Sequence, residues 1–396
     1  MQRLHRSFAS IPLVLVLGPV LGCGADSDPE QADTGPSSTG STTADTGSGP
    51  PTGQGPGGTG STETDSSGSG DGTAPTAAGS DDDSTGEGAD VRPPRPDGLV
   101  VFVTGNDDDA DVDPTGPGLV LMGGNFDVDE AFVWWGDYIA GGDVVVIRTR
   151  GSDGYNDYLY DFGNADSVET MIVTEGFGDD PYVLWTLRHA EAIYMAGGDQ
   201  GDYLAAWKDT GMEQAIATAW DRGAVVGGIS AGLAVLGEFM FAAYEGTVYS
   251  DEALEDPYNQ YMSLDRDFLA FPPLAGVITD SHFFERDRMG RLLGFLARIH
   301  ADGWATSAVG IGVDEDTAVV VGPDGAGEVI GDGRVYVVRA DDPAQVCAPG
   351  VELSYADLQV QALVAGDSLD FPGAVSPVPS SLVSAAGGVT VPADPY

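Results

Sequence analysis

The chain has 396 residues, with 63 Asp or Glu against 16 Lys or Arg and a formal net charge of −47. Nothing supplies a basic face able to neutralise phosphates, which excludes nucleic acid as a partner. A salt-rich extracellular medium suits such a surface best, and attraction of a cationic substrate is the other reading.

Met1 to Arg6 is basic, and an apolar run from Ile11 to Leu21 follows, too short to span a bilayer as a mature helix. It ends in Val20-Leu21-Gly22-Cys23, which resembles a bacterial lipobox in which Cys23 takes the lipid after cleavage. Residues 1–23 therefore read as a lipoprotein signal peptide. Residues 24–97 are mostly Gly, Ser, Thr, Pro, Asp and Ala, and carry no aromatic side chain. Such a stretch cannot bury enough apolar surface to offset its ordering entropy, so it reads as a disordered tether holding a domain away from a membrane. Cys347 is the only other cysteine, and no intramolecular disulfide is expected once Cys23 is acylated.

Residues 98–375 have the size of one α/β domain. Leu99–Thr104 reads as a strand before an acidic loop. Leu119–Met122 is the next and enters Gly123-Gly124-Asn125, after which Val128–Ile139 has apolar residues at helical spacing. Val144–Ile147 is a further strand, continuous in β-branched residues as a buried parallel strand is, and Thr170–Val173 is another. A helix then starts at Pro181, a favoured first-turn residue. Ala192–Met195 leads into Ala196-Gly197-Gly198-Asp199-Gln200 and a helix through Trp207, and Met212–Trp220 is another helix. This alternation predicts a doubly wound, mainly parallel sheet with helices on both faces, whose active site lies at the C-terminal ends of the strands. Antiparallel strands are expected near Val335–Val338, and residues 376–396, rich in Pro, Ser and Ala, are expected to be a loose tail.

Val225 and Val226 run into Gly227-Gly228-Ile229-Ser230-Ala231-Gly232 and an apolar helical segment. A serine at the apex of such a strand–turn–helix stands clear of the sheet, above N–H groups that suit a developing oxyanion. A serine nucleophile needs a base near neutral pH, usually histidine. The chain has four histidines. His5 leaves with the signal peptide, His189 sits within a helix, and His300 sits near the end of one. His282 alone follows a buried strand, at the same edge of the sheet as Ser230, and is the base by elimination. Glu315 is the best orienting acid, with Asp280, Asp314 and Asp316 as alternatives. The order serine, histidine, acid disfavours the α/β-hydrolases. Arg286, Arg288 and Arg291 form either a carboxylate-binding pocket or helix-face ion pairs with Glu285 and Asp287. No second histidine or cysteine lies at ligand spacing. Acidic residues suit calcium at most, so neither metal nor cofactor is expected.

The segments GGISAG (227–232), AGGDQ (196–200), DSHFFERDRMGRL (280–292) and GIGVDEDTA (310–318) together resemble cyanophycinase and cyanophycinase-like serine exopeptidases. These are relatives of aspartyl dipeptidase with a class I glutamine amidotransferase-like, flavodoxin-like fold, and the resemblance covers most of 118–340. It implies a Ser230–His282–Glu315 triad and an oxyanion hole at the backbone of Gly198 or Asp199 and Ala231. Asp280, Ser281, Arg286, Arg288, Arg291 and Gln200 are implied at the substrate, a peptide or polymer with β-linked aspartate and arginine. The family has Asp-Gln-His where this chain has Asp280-Ser281-His282, and Thr-Ser-Ala-Gly where it has Ile229-Ser230-Ala231-Gly232. The lipobox-like segment and the resemblance together imply a lipid-anchored envelope or extracellular exopeptidase acting on cyanophycin through an acyl-enzyme, with a homodimer as the oligomeric form to be tested. A β-aspartyl or Asp-X dipeptidase inactive on the polymer, and a non-catalytic surface-binding lipoprotein, are the alternatives.

Overall fold

Leu119-Val120-Leu121-Met122 shows how the first sheet is built. All four side chains are buried, with Leu119 and Leu121 packing into one core and Val120 and Met122 into another. Val144–Ile147 and Ala192–Met195 divide in the same alternating way. A strand covered on both faces can have no polar side, which is why these segments read as unbroken apolar runs. The computed structural model describes residues 90–396. The expected signal peptide, the lipidated Cys23 and residues 24–89 of the expected tether lie outside the described residues.

The first half comprises β1 (Val100–Gly105), β2 (Gly118–Met122), α1 (Asp129–Gly136), β3 (Asp143–Arg148), α2 (Asn156–Phe162), β4 (Ser167–Ile172), α3 (Pro181–His189), β5 (Ala192–Met195), α4 (Gln200–Trp207), α5 (Gly211–Arg222) and β6 (Val225–Ile229). After it come α6 (Ala231–Ala234), β7 (Phe239–Phe241), α7 (Ser250–Glu255), β8 (Leu264–Arg266), β9 (Val277–Asp280), α8 (Met289–Ala301), β10 (Ala308–Val313), β11 (Thr317–Val321) and β12 (Ala326–Gly331). The chain ends with β13 (Val335–Ala340), β14 (Val346–Ala348), β15 (Val351–Leu363), β16 (Ser368–Asp370), β17 (Ser381–Ala386) and β18 (Val389–Val391).

The first sheet has the order β1-β4-β3-β5-β6-β2-β11-β12-β16. Its centre, β4-β3-β5-β6-β2, is parallel. Helices α3, α4 and α5 cover one face and α1 and α2 the other, so the sheet is doubly wound as expected. Local signals set the helix starts. Asp180 caps α3 by accepting from Tyr182 N at 2.8 Å, with Pro181 in the first turn, and Asp199 caps α4 through Gly201 N at 2.9 Å.

One expectation is corrected. The rim that carries Ser230 does not carry His282, because β9 and β10 belong to a second sheet, ordered β18-β17-β15-β13-β10-β9-β7-β8 with β14 on β15. Within it β9 and β10 are parallel, while β10, β13, β15, β17 and β18 are antiparallel neighbours. The chain passes from the second sheet back to the first between β10 and β11, at Asp314-Glu315-Asp316. Apolar runs look alike whichever sheet they join, so strand alternation alone could not separate the two.

The segment 376–396 is also not loose. Leu382 is exposed while Val383 and Ala385 are buried, and this alternation pairs β17 with β15, with β18 alongside. Tyr396 then packs onto Phe283, Phe284 and Tyr336. The tether likewise ends earlier than expected. Arg92 pairs with Glu169, donates to Thr186 Oγ1 at 3.1 Å and lies over Tyr182 and Trp185, and Arg95 reaches Tyr182 Oη at 3.2 Å.

Candidate active site

Ser230 sits at the turn between β6 and α6 with φ 54° and ψ −112°, a backbone region that L residues rarely enter. The glycines two residues to either side are what permit it. A Cβ on Gly228 would come within 2.5 Å of the Gly232 carbonyl carbon, and one on Gly232 would overlap the Met195 carbonyl at the end of β5. Strand, helix and neighbouring strand therefore close around the serine only when both flanks lack side chains.

His282 directly follows β9 and also holds a positive φ of 44°. Its Nε2 lies 2.8 Å from Ser230 Oγ and its Nδ1 lies 2.7 Å from Glu315 Oε1. A carboxylate only accepts, so Nδ1 carries the proton and Nε2 presents its lone pair to the serine hydroxyl. Burial, then the charges of Arg286 and Arg288, push the imidazole from 6.5 down to about 3, with Asp280 opposing them. The resting ring is therefore neutral, as a base must be.

The alternative acids are all engaged elsewhere. Asp280 forms a bidentate pair with Arg291, Nε at 2.8 Å and Nη2 at 2.5 Å. Asp314 accepts from the N–H groups of Phe284 and Arg334 at 2.9 and 3.0 Å, and burial pushes it up to about 6. Asp316 accepts from Asn125 Nδ2 and Phe126 N at 3.0 and 2.9 Å. Of the remaining described histidines, His189 stacks on Trp185 with centroids 3.8 Å apart, and His300 Nε2 lies 3.0 Å from the Ala340 carbonyl.

The two sheets are joined at the site by the turn after β2. The N–H of Ser230 donates to Met122 O at 3.2 Å, that of His282 to Gly123 O at 3.0 Å, and that of Asp316 to Gly124 O at 3.0 Å. One turn thus holds all three loops. Its glycines follow an apolar run just as Gly197-Gly198 follow Ala192–Met195 and Gly227-Gly228 follow Val225-Val226. That repeated pattern was the available signal, and sequence reasoning assigned Gly124 no role. Beside Ser230 lies the turn after β5, since a Cβ on Gly197 would sit 3.8 Å from that of the serine. Tyr203 pins it by donating to the carbonyls of Ala196 and Gly197, each at 2.9 Å. Among the described residues the N–H groups of Gly198 and Asp199 donate to no other protein group. With Ala231, the first residue of α6, they are the donors available to an oxyanion.

The arginines divide. Arg291 is buried against Asp280 and also reaches Thr247 Oγ1 at 3.1 Å, and Arg288 donates to Ser281 O at 2.7 Å and Ser281 Oγ at 3.2 Å. Neither forms the helix-face pairs with Glu285 and Asp287. Arg286 is exposed, and its guanidinium has no ion pair among the described residues. Gln200 reaches the Phe241 carbonyl at 3.5 Å. Asp280, Ser281, Arg288 and Arg291 are thus tied to one another, and Arg286 alone of the three arginines is open to a ligand.

Residues 172–326 match Peptidase family S51. The cyanophycinase of Synechococcus elongatus is 29% identical over 218 residues, which cover 54% of this chain and 63% of that protein. The cyanophycinase of Geminocystis herdmanii is 35% identical over 162 residues, covering 41% of this chain and 54% of that protein. The chain therefore spans less than two thirds of the length of either relative. Among solved structures, a peptidase from an acI-B1 Actinobacterium aligns with a TM-score of 0.44 at 20% identity, over 65% of this chain and 98% of that one. Ser230, His282 and Glu315 all fall inside the segment that matches peptidase family S51, and over that part the chain is similar to the cyanophycinases.

Proposed function

We propose that this chain is a serine exopeptidase that hydrolyses β-aspartyl linkages, with cyanophycin as its leading substrate. The observation that carries the reading is the unbroken relay from Ser230 Oγ to His282 at 2.8 Å and on to Glu315 at 2.7 Å. In this scheme Oγ attacks the scissile carbonyl carbon while Nε2 takes its proton, and Glu315 steadies the imidazolium that forms. The oxyanion is met by N–H groups of Ala231 and the Gly198–Asp199 turn. Collapse expels the amine, which takes the proton from Nε2. Water then adds to the acyl-enzyme by the same route in reverse.

Arg286 supports recognition of a carboxylate, because it is the free guanidinium beside the base. The lipobox-like Cys23 supports an anchored protein at the cell surface, where a polymer released by other cells would be met.

Incubation with cyanophycin, followed by identification of the soluble products, tests the proposal. Release of β-Asp-Arg that disappears in Ser230→Ala is the expected result. Cleavage of β-aspartyl dipeptides without attack on the polymer would replace cyanophycinase with dipeptidase activity. A Ser230 that reacts with no fluorophosphonate, in a chain that cleaves neither substrate, would leave a binding lipoprotein instead.

A further inference from the structure

The loop from His282 to Arg288 carries the base and the open arginine, and most of it is exposed. Two of its residues have positive φ, His282 at 44° and Asp287 at 49°. A short loop in such a conformation keeps its shape only if its surroundings hold it. Its inner side is fixed to β10: Phe283 N donates to Val313 O at 3.1 Å and Phe284 N to Asp314 Oδ1 at 2.9 Å. Gly312 leaves the space that the Phe283 ring fills, since a Cβ there would overlap the ring.

Its outer side is held by Tyr396. The hydroxyl accepts from Met289 N at 2.9 Å and donates to Asp287 Oδ1, also at 2.9 Å. It therefore bridges the residues on either side of Arg288 and caps the first free N–H of α8, which has no side-chain cap from its own N-terminal residue. The ring meets Phe283 edge-on at 5.9 Å, Phe284 at 5.2 Å and Tyr336 at 5.5 Å. Burial pushes the hydroxyl well above its ordinary pKa, so it stays a donor at every working pH. Ser250 adds a second tie by donating to Asp287 O while accepting from Arg291 N at 3.1 Å.

We infer that Tyr396 is a positioning residue for the reaction. It reaches no reacting atom, and its hydroxyl and ring lock the His282–Arg288 loop so that Nε2 stays on Ser230 and water stays out from around the imidazole. The inference rests on the serine-peptidase reading of the site. It also gives the strands after residue 326, which lie beyond the segment matching the peptidase family, a part in the active site.

The test uses the full chain with Tyr396→Phe, which keeps the ring and removes the hydroxyl, and Tyr396→Leu, which removes both. Backbone hydrogen exchange is followed by mass spectrometry. Exchange over 283–291 is expected to rise about tenfold in Tyr396→Phe and further in Tyr396→Leu, while peptides from β2 to β6 keep their rates. In β-aspartyl dipeptide hydrolysis, kcat is expected to fall about tenfold in Tyr396→Phe with KM changed less than about twofold, the mark of a misplaced base rather than lost binding. His282 faces Glu315 from the loop after β10, Arg286 and Arg288 from its own loop, Asp280 from β9 and Arg291 from α8. Loosening the loop hydrates the ring among these charges, so the acid limb of kcat/KM should move up towards pH 6.5, which a purely structural role would not cause.

Unchanged exchange over 283–291 in Tyr396→Phe would overturn the inference, as would a kcat and acid limb matching the native chain. If the native chain neither hydrolyses the dipeptide nor reacts with a fluorophosphonate, the peptidase reading fails. The exchange measurement still decides whether Tyr396 holds the loop. Should Tyr396→Leu fail to fold, Tyr396→Phe carries the decision alone.

Discussion

Gly124 lies against the imidazole of His282 so closely that a Cβ there would come within 2.5 Å of Nε2. Its φ of 133° is also one that side-chain-bearing residues avoid. The glycine is thus a packing surface for the ring, and it sits in the turn that joins the two sheets. Gly124→Ala should displace the ring and lower kcat by about a hundredfold or more, since a displacement of about 1 Å costs that much. Steady-state kinetics beside a thermal melt will separate this from unfolding.

Neutralising Arg286 should change the pH dependence in a defined direction. Its charge is among those holding His282 below 6.5, so Arg286→Gln should raise the pKa of the imidazole. Protonated imidazole cannot accept the serine proton, so the acid limb lies at the pKa of His282, below pH 6.5 in the native chain, and moves upward in the variant. The rate of Ser230 labelling by a small neutral fluorophosphonate, measured against pH, reads this without interference from substrate carboxylate binding. A limb that stays where it was would mean that Arg286 does not act on the base.

Glu315→Gln keeps the size and one acceptor of the side chain but removes the charge that fixes the imidazole tautomer. Turnover should fall by about a hundredfold to ten-thousandfold with little change in melting temperature. Matching changes at Asp314 or Asp316 should instead act mainly on stability, because each accepts backbone N–H bonds away from the ring. Equal losses of activity from all three would contradict the assignment of Glu315 as the acid.

Asp280 and Arg291 form a pair in which each side chain is only 3% exposed. Removing one partner strands the other, and Asp280→Ala should destabilise the fold by about 3–5 kcal/mol. Urea unfolding of Asp280→Ala, compared with Arg286→Gln, will check this. The exposed arginine is expected to change stability by less than about 0.5 kcal/mol.

Much of the site was legible because the chemistry marks itself locally. Glycines at 228 and 232 around Ser230 are required by contacts within a few residues and with one neighbouring strand, so the turn announces itself in sequence. His282 could be found by elimination because histidine is scarce here. The Asp314-Glu315-Asp316 run was another matter. Three acids in a row at a strand end are equivalent until hydrogen bonds assign them, and only the structure turns Glu315 towards Nδ1. Residues 376–396 were misread because Pro, Ser and Ala dominate their composition. The alternation of Leu382, Val383 and Ala385 that builds β17 is too short to stand out.

What the amino-acid order determined unaided was whatever depends on neighbours: the doubly wound alternation, the serine turn, the helix start at Pro181. What folding in three dimensions decided was which distant pieces meet. Strand pairing joins segments by backbone groups common to every residue, so nothing in β6 or β9 says that they lie in different sheets. Nor does anything in Tyr396 say that it closes on Asp287, more than a hundred positions away. Those partnerships exist only once two sheets have packed and their loops have come together at the turn after β2.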